Sequence, residues 1–104
     1  MAAYLVINIA HVHDPARYAE YRARVPASLK AAGGEYLVRG GATEVLEGDW
    51  NPGRVVIVRF DCADDARRWW SSSDYAALRD QRQGATTTHM VLVEGVPEGE
   101  GVLP

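Results

Sequence analysis

Two glycine pairs, Gly33-Gly34 and Gly40-Gly41, bracket a short β-type run, and Gly48-Asp49-Trp50-Asn51-Pro52-Gly53 closes the segment with a turn. Glycine ends helices through the left-handed cap and admits bulges or sharp bends in strands. The segment therefore predicts a helix that stops at Gly33, a strand over Glu35–Arg39, and a chain that folds back before the next apolar run. Thr43–Glu47 is read as continuing or re-pairing that strand, with Gly40-Gly41 as either a bulge or a sharp bend.

The flanking elements follow from periodicity. Tyr4–Ala10 is apolar except for Asn8, which predicts a buried strand. Asp14-Pro15 is a helix start: the carboxylate caps, and proline suits the first helical position. Tyr18, Tyr21, Val25, Leu29 and Ala32 then recur at helical spacing, with a kink or restart expected near Val25 because Pro26 lacks a backbone donor. Arg54–Phe60 reads as the third strand. A helix is expected from Asp61–Asp64 through Trp69-Trp70, a short third helical piece over Asp74–Gln83, and a last strand over His89–Glu94. The order β-α-β-β-α-β predicts an α+β, ferredoxin-like domain over residues 1–96, an antiparallel sheet with helices on one face, and a mobile tail over 97–104.

Neither strand face is polar. Val55 and Ile57 oppose Val56, Val58 and Phe60; Val91 and Val93 oppose Met90 and Leu92; Tyr4 and Val6 oppose Leu5, Ile7 and Ile9. Helices cover one face only, and an antiparallel sheet with a wet face should alternate apolar and polar residues. The predicted remedy is a homodimer through the sheet face. A chain of 104 residues is one domain with a modest core, which favours association. The net charge of −3 argues against nucleic acid as a partner. No run reaches transmembrane length, and Met1–Val12 reads as a strand rather than a signal peptide, so no membrane is expected. The lone cysteine, Cys62, forms no internal disulfide, which suits the cytoplasm.

Tyr36-Leu37-Val38-Arg39-Gly40-Gly41, Val45-Leu46-Glu47-Gly48-Asp49-Trp50, Trp69-Trp70, Ser72 with Tyr75, and Val91-Leu92-Val93-Glu94-Gly95-Val96 resemble the bacterial family called domain of unknown function 1330. The resemblance runs from Tyr4 to Val96. It implies a ferredoxin-like protomer of the dimeric α/β-barrel superfamily and no established reaction. Where relatives often have Glu before the strand-three Phe, this chain has Arg59, so a carboxylate role there does not carry over. The Pro-Ser that often follows becomes Asp61-Cys62, and the usual Ser-Pro-Glu-Tyr becomes Ser72-Ser73-Asp74-Tyr75.

The residues offer few candidates for chemistry. His11 and His13 lie two apart at the end of strand one, but a third ligand at recognisable spacing is missing, so no metal is expected. Asn8, polar within an apolar strand, either bonds structurally or orients a ligand. Arg39 either forks a carboxylate or phosphate or pairs with Glu35, Glu44 or Glu47. Arg79 and Arg82 read as a solvated helix face. A small apolar pocket between helices and sheet, lined by Tyr18, Trp69 or Trp70 with Arg39 at its mouth, is the predicted ligand site. The glycine spacings match no phosphate loop or dinucleotide motif, so no cofactor is expected. Two readings follow. One is a cofactor-independent enzyme, monooxygenase- or isomerase-like by analogy of superfamily, acting on a small anionic or aromatic metabolite with His11 or Asn8 as catalytic group. The other is a non-catalytic dimeric module that binds a small molecule or supports another protein.

Overall fold

The alternation of the strands sets the sheet, and its two bulges decide which side chains reach the interior. The computed structural model describes residues 1–102, in the order β1 (Ala3–Val12), α1 (Pro15–Ala31), β2 (Glu35–Arg39), β3 (Arg54–Phe60), α2 (Ala63–Ser71), α3 (Ser73–Ala85) and β4 (Thr86–Glu94). The strands form one antiparallel sheet ordered β2-β3-β1-β4. This is the expected ferredoxin-like α+β fold, with the second helical region divided at Ser72. The Ser72 hydroxyl caps α3 by accepting from the Tyr75 amide at 3.2 Å. The third helical piece is longer than expected and exceeds α2, because Tyr75, Leu78, Arg82 and Ala85 sustain one buried face.

Leu5, Ile7 and Ile9 of β1 and Val56, Val58 and Phe60 of β3 are buried against Tyr18, Tyr21, Val25 and Leu29 of α1, with Trp69 and Tyr75 behind them. Each such side chain contributes about 1.5–3 kcal/mol when removed from water. The other face carries Tyr4, Val6 and Asn8 of β1, registered with Val93, Val91 and His89 of β4 and with Arg59, Ile57 and Val55 of β3. Val91 and Val93 are 56% and 46% exposed. No described helix belongs to this face.

The termini of α1 obey local chemistry. Asp14 accepts from the Arg17 amide at 3.1 Å and Pro15 opens the first turn. At the other end Gly33 takes φ +87°, and the amides of Gly34 and Gly33 donate to the carbonyls of Leu29 and Lys30. That pair of bonds is the Schellman arrangement, and it needs the left-handed residue that glycine supplies. Of the kink or restart expected near Val25, no restart occurs: α1 runs unbroken through Pro26 to Ala31. The carbonyl four residues earlier, on Arg22, loses its helical donor and takes a side-chain donor instead, from Arg39 at 3.2 Å.

Thr43–Glu47 is not a strand. Residues 41–53 are irregular and exposed throughout except for half-buried Pro52. The last ladder bond before them runs from the Gly40 amide to the Val55 carbonyl at 2.8 Å, and Gly40, at φ +72°, turns the chain away. β2 is the sheet's edge and β3 already pairs on both sides, so residues 43–47 meet no partner. The first and last strands exceed their expected bounds, since β1 runs to Val12 and β4 begins at Thr86. Of the tail expected over 97–104, Pro97 accepts from the Glu100 amide in a turn, and residues 103 and 104 lie outside the described residues. No described helix is long and apolar enough to cross a membrane.

Candidate functional site

A β-bulge builds the site. Tyr36 pairs with Val58 and Arg39 with Val56, but between them Val38 pairs with Ile57, leaving Leu37 as the extra residue. Strict alternation puts Tyr36 and Arg39 on opposite faces. The inserted residue puts both on the helix side, which is how bulges re-aim side chains. Arg54 starts β3 opposite Ile9 and shares the face of Val56 and Val58. These side chains edge a cleft between α1 and the sheet, walled by Tyr18, Tyr21 and Val25 on one side and Ile7, Ile9 and Val56 on the other. Trp69 lies among the lining residues and Arg82 reaches the same cavity from α3.

The cleft opens to solvent at its mouth and has a volume of about 40 Å³, room for a few water molecules with the side chains as they stand. The mouth is narrowed by long, flexible side chains. Arg39 reaches across to the Arg22 carbonyl with its guanidinium over the Tyr36 ring, 4.6 Å from the centroid. Arg54 reaches the Arg39 carbonyl at 3.4 Å. The Arg54 guanidinium occupies the space that a Cβ on Gly40 would need, so Gly40 makes room for that side chain as well as turning the chain, whereas a Cβ on Gly41 would meet open space.

The electrostatics are one-sided. Arg22, Arg39, Arg54 and Arg82 all line the cleft. The ion pairs found among the described residues, Arg59–Asp61, Arg67–Asp64 and Arg68–Asp65, involve none of them. Arg39 therefore lacks the expected Glu35, Glu44 or Glu47 partner. Arg54 Nε is buried with no acceptor, a state that costs about 1–3 kcal/mol. Arg82 is 4% exposed, not solvated; its Nε donates to the Tyr75 hydroxyl at 3.3 Å, and its guanidinium lies 6.0 Å from the Tyr21 ring centroid. The Tyr21 and Tyr75 hydroxyls are 2.9 Å apart. Burial, reinforced by Tyr75, pushes the Tyr21 phenol far above the ordinary tyrosine value. Burial also raises Tyr36, opposed by the Arg39 charge.

Of the residues anticipated from sequence, Arg39, Tyr18 and Trp69 meet in the cleft. Trp69 Nε1 is committed to Ser28 Oγ at 3.1 Å. Trp70 is elsewhere: one helical residue on, it faces a groove beside β4 with Leu5 and Leu92, under the Arg79 guanidinium. Asn8 lies on the opposite sheet face, where its Oδ1 accepts from the Gly53 amide at 3.0 Å and fixes the entry to β3. Gly53 approaches the Ile9 carbonyl too closely to carry a side chain. His11 is exposed opposite Thr87, with its ring 4.6 Å from that of His13. No cluster of three metal-ligating side chains exists among the described residues. Sequence reading missed Arg54, Arg82, Tyr21 and Tyr36. Period-two alternation through Val56 and Val58 marks Arg54, and the Tyr75-Leu78-Arg82-Ala85 spacing marks Arg82.

No curated protein matches the chain significantly. Among solved structures, a protein of unknown function from Rhodopseudomonas palustris is similar at a TM-score of 0.76 and 14% identity, over 92% of this chain and 83% of that one. SnoaB, a cofactor-independent oxygenase from Streptomyces nogalater, aligns at 0.66 and 17% identity over 95% of this chain and 97% of its own. A putative antibiotic biosynthesis monooxygenase from Nitrosomonas europaea aligns at 0.56 and 17% identity over 93% and 100%. At these identities the likeness is one of fold. Residues 2–96 match the family described as domain of unknown function (DUF1330), and the chain belongs to it.

Proposed function

We propose that the cleft holds a small aromatic anion and that the protein is a cofactor-independent enzyme of the oxygenase type. The observation that carries this is the convergence of Arg22, Arg39, Arg54 and Arg82 on a tyrosine-lined cleft with no carboxylate paired to any of them among the described residues. Arg82 is buried and Arg54 half-buried, while Arg22 and Arg39 stand exposed at the mouth. The inner guanidinium groups, without counter-charge, favour an anionic guest, and fork-shaped donors suit a carboxylate or phenolate oxygen. Tyr18, Tyr21 and Tyr36 offer aromatic faces to a ring. Entry requires Arg39 and Arg54 to swing from the mouth, and each holds only a neutral carbonyl there, a weaker partner than an anion.

The lining contains no Asp, Glu or His. An isomerase-like reaction needs a group to carry a proton between carbons, and the cleft provides no ordinary base. An oxygenation asks less: the arginines stabilise a phenolate or enolate whose proton leaves to water, and that anion is itself the reductant of O2. One oxygen atom enters the product as a quinone carbonyl, and the other leaves as water with the two hydrogens the substrate loses. SnoaB, with the same fold, is described as a cofactor-independent oxygenase, which supports the reaction class by analogy of fold. We further propose a homodimer through the outer sheet face, on which Val91 and Val93 stand exposed.

Calorimetry with benzoate and benzamide tests the binding claim, and O2 uptake with electron-rich naphthols tests the chemistry. The acid is expected to bind at least tenfold more tightly than the amide, with the preference lost in Arg39→Ala. Equal binding of the two overturns the anion reading. Preferential binding without O2 uptake by any phenol favours the non-catalytic binding module.

A further inference from the structure

We infer that Tyr21 is the hydrogen-bond donor that meets the ligand's charged oxygen, its hydroxyl fixed in the donating sense by a chain running Arg82–Tyr75–Tyr21; this rests on the reading of the cleft as an anion site. The direction of the chain follows from what each group can do. A guanidinium has donors only, so Arg82 Nε gives its proton to the Tyr75 oxygen. Tyr75 is fully buried and packed against Trp69, the ring centroids 3.8 Å apart and the planes tilted by 31°. Its hydroxyl has one other partner, the Tyr21 oxygen at 2.9 Å. Were Tyr21 to donate to Tyr75, the Tyr75 proton would be left buried without an acceptor, which is costly. The satisfied arrangement has Tyr75 donating to Tyr21.

The proton on Tyr21 is then left over. Tyr21 lines the cleft, whereas Tyr75 stands behind its wall. The surplus donor therefore belongs to the cavity, among the arginines. A chain that begins at a cation polarises each hydroxyl in turn, and burial keeps the Tyr21 phenol protonated across the ordinary pH range. A donor oriented before the ligand arrives stabilises charge that develops on the ligand's oxygen without reorganisation. The site thus selects ligands presenting an ionisable hydroxyl or enol oxygen at the deep end. Tyr75 and Arg82 are positioning residues, and Tyr21 is the one that touches the ligand.

The probe is 4-nitrophenol, whose acid and anion forms differ in visible absorbance. The bound probe in wild type is expected to ionise at lower pH than free probe. In Tyr21→Phe the acid dissociation constant of the bound probe should fall about tenfold, the scale of one charge-assisted bond. In Tyr75→Phe, which keeps the Tyr21 hydroxyl but removes what polarises it, the constant should fall by a smaller factor. Circular dichroism establishes that each variant is folded. A merely structural role for Tyr21 weakens binding of both probe forms alike and leaves the constant unmoved. An unchanged constant in folded Tyr21→Phe, with binding still weakened by Arg39→Ala, overturns the donor role and leaves the anion cleft standing. If Tyr21→Phe does not fold, an unchanged constant in Tyr75→Phe overturns the chain. A wild-type protein that leaves the probe ionising as it does in solution removes the anion cleft and this inference together.

Discussion

At the scale of single residues, Pro26 shows how a missing proton is put to use. The Arg22 carbonyl it strands is the one that Arg39 occupies. Pro26→Ala restores a helical donor to that carbonyl and removes a proline from a helix interior, a change worth up to about 3 kcal/mol in the helix's favour. The variant is expected to melt higher than wild type and to bind benzoate several-fold more weakly because Arg39 loses its anchor; calorimetry and thermal melts read both. The buried Tyr21 phenol gives a second prediction. Tyr21 is held protonated when folded, but unfolded it ionises near pH 10. Below that pH both states carry the proton and the stabilisation is fully present. Above it the unfolded chain releases its proton first, so stability falls by about 1.4 kcal/mol per pH unit until the folded phenol also titrates. Urea midpoints between about pH 9 and about pH 11 should show this fall, and Tyr21→Phe should flatten it. Arg54 and Arg82 were missed, although each sits in phase with apolar neighbours. Read as charges they pass for surface residues; read by position they belong to the interior.

At the scale of elements, the strand centres follow apolar runs, although β1 and β4 extend past theirs through His11-Val12 and Thr86-Thr87-Thr88. The limits of α1 follow Asp14, Pro15 and Gly33 because each is settled by neighbours in the chain. The Leu37 bulge is different. Tyr36-Leu37-Val38-Arg39 alternates well enough as a plain strand, and only its register against Val56–Val58 shows that one residue is extra. Likewise Thr43–Glu47 has the composition of a strand and lacks only a partner, a fact about the sheet rather than the segment. Gly40 is the hinge between the two. A Cβ there meets the Arg54 guanidinium and a backbone at φ +72°. Gly40→Ala should cost about 1–2 kcal/mol from the backbone alone. It should also weaken benzoate binding at least tenfold by displacing Arg54. Denaturant titration and calorimetry separate the two effects.

At the scale of the molecule, the radius of gyration is 14.6 Å, against about 13 Å for a compact chain of this length. The excess fits a segment standing off the body, and residues 41–53 expose Val45, Leu46 and Trp50 at 47%, 89% and 62%. Four strands at about 4.8 Å spacing, with roughly seven residues each, present on the order of 400 Å² of outer face. A standard interface takes about 800 Å² from each partner. The flat footprint falls short of that area, so the 41–53 arm, with Leu46 89% exposed, is expected to add to the interface of the proposed homodimer. Light scattering should find a dimer in wild type and a monomer in Val91→Lys, with Leu46→Asp weakening the dimer by tenfold or more. The proposed function, however, rests on the unneutralised arginine cleft. A crystal grown with 4-iodobenzoate tests it most directly, because the anomalous signal of iodine locates the ring. The ring is expected between α1 and the sheet, with the carboxylate against Arg39 and Arg54. Iodine confined to the outer surface, with only water between those arginines, would contradict it.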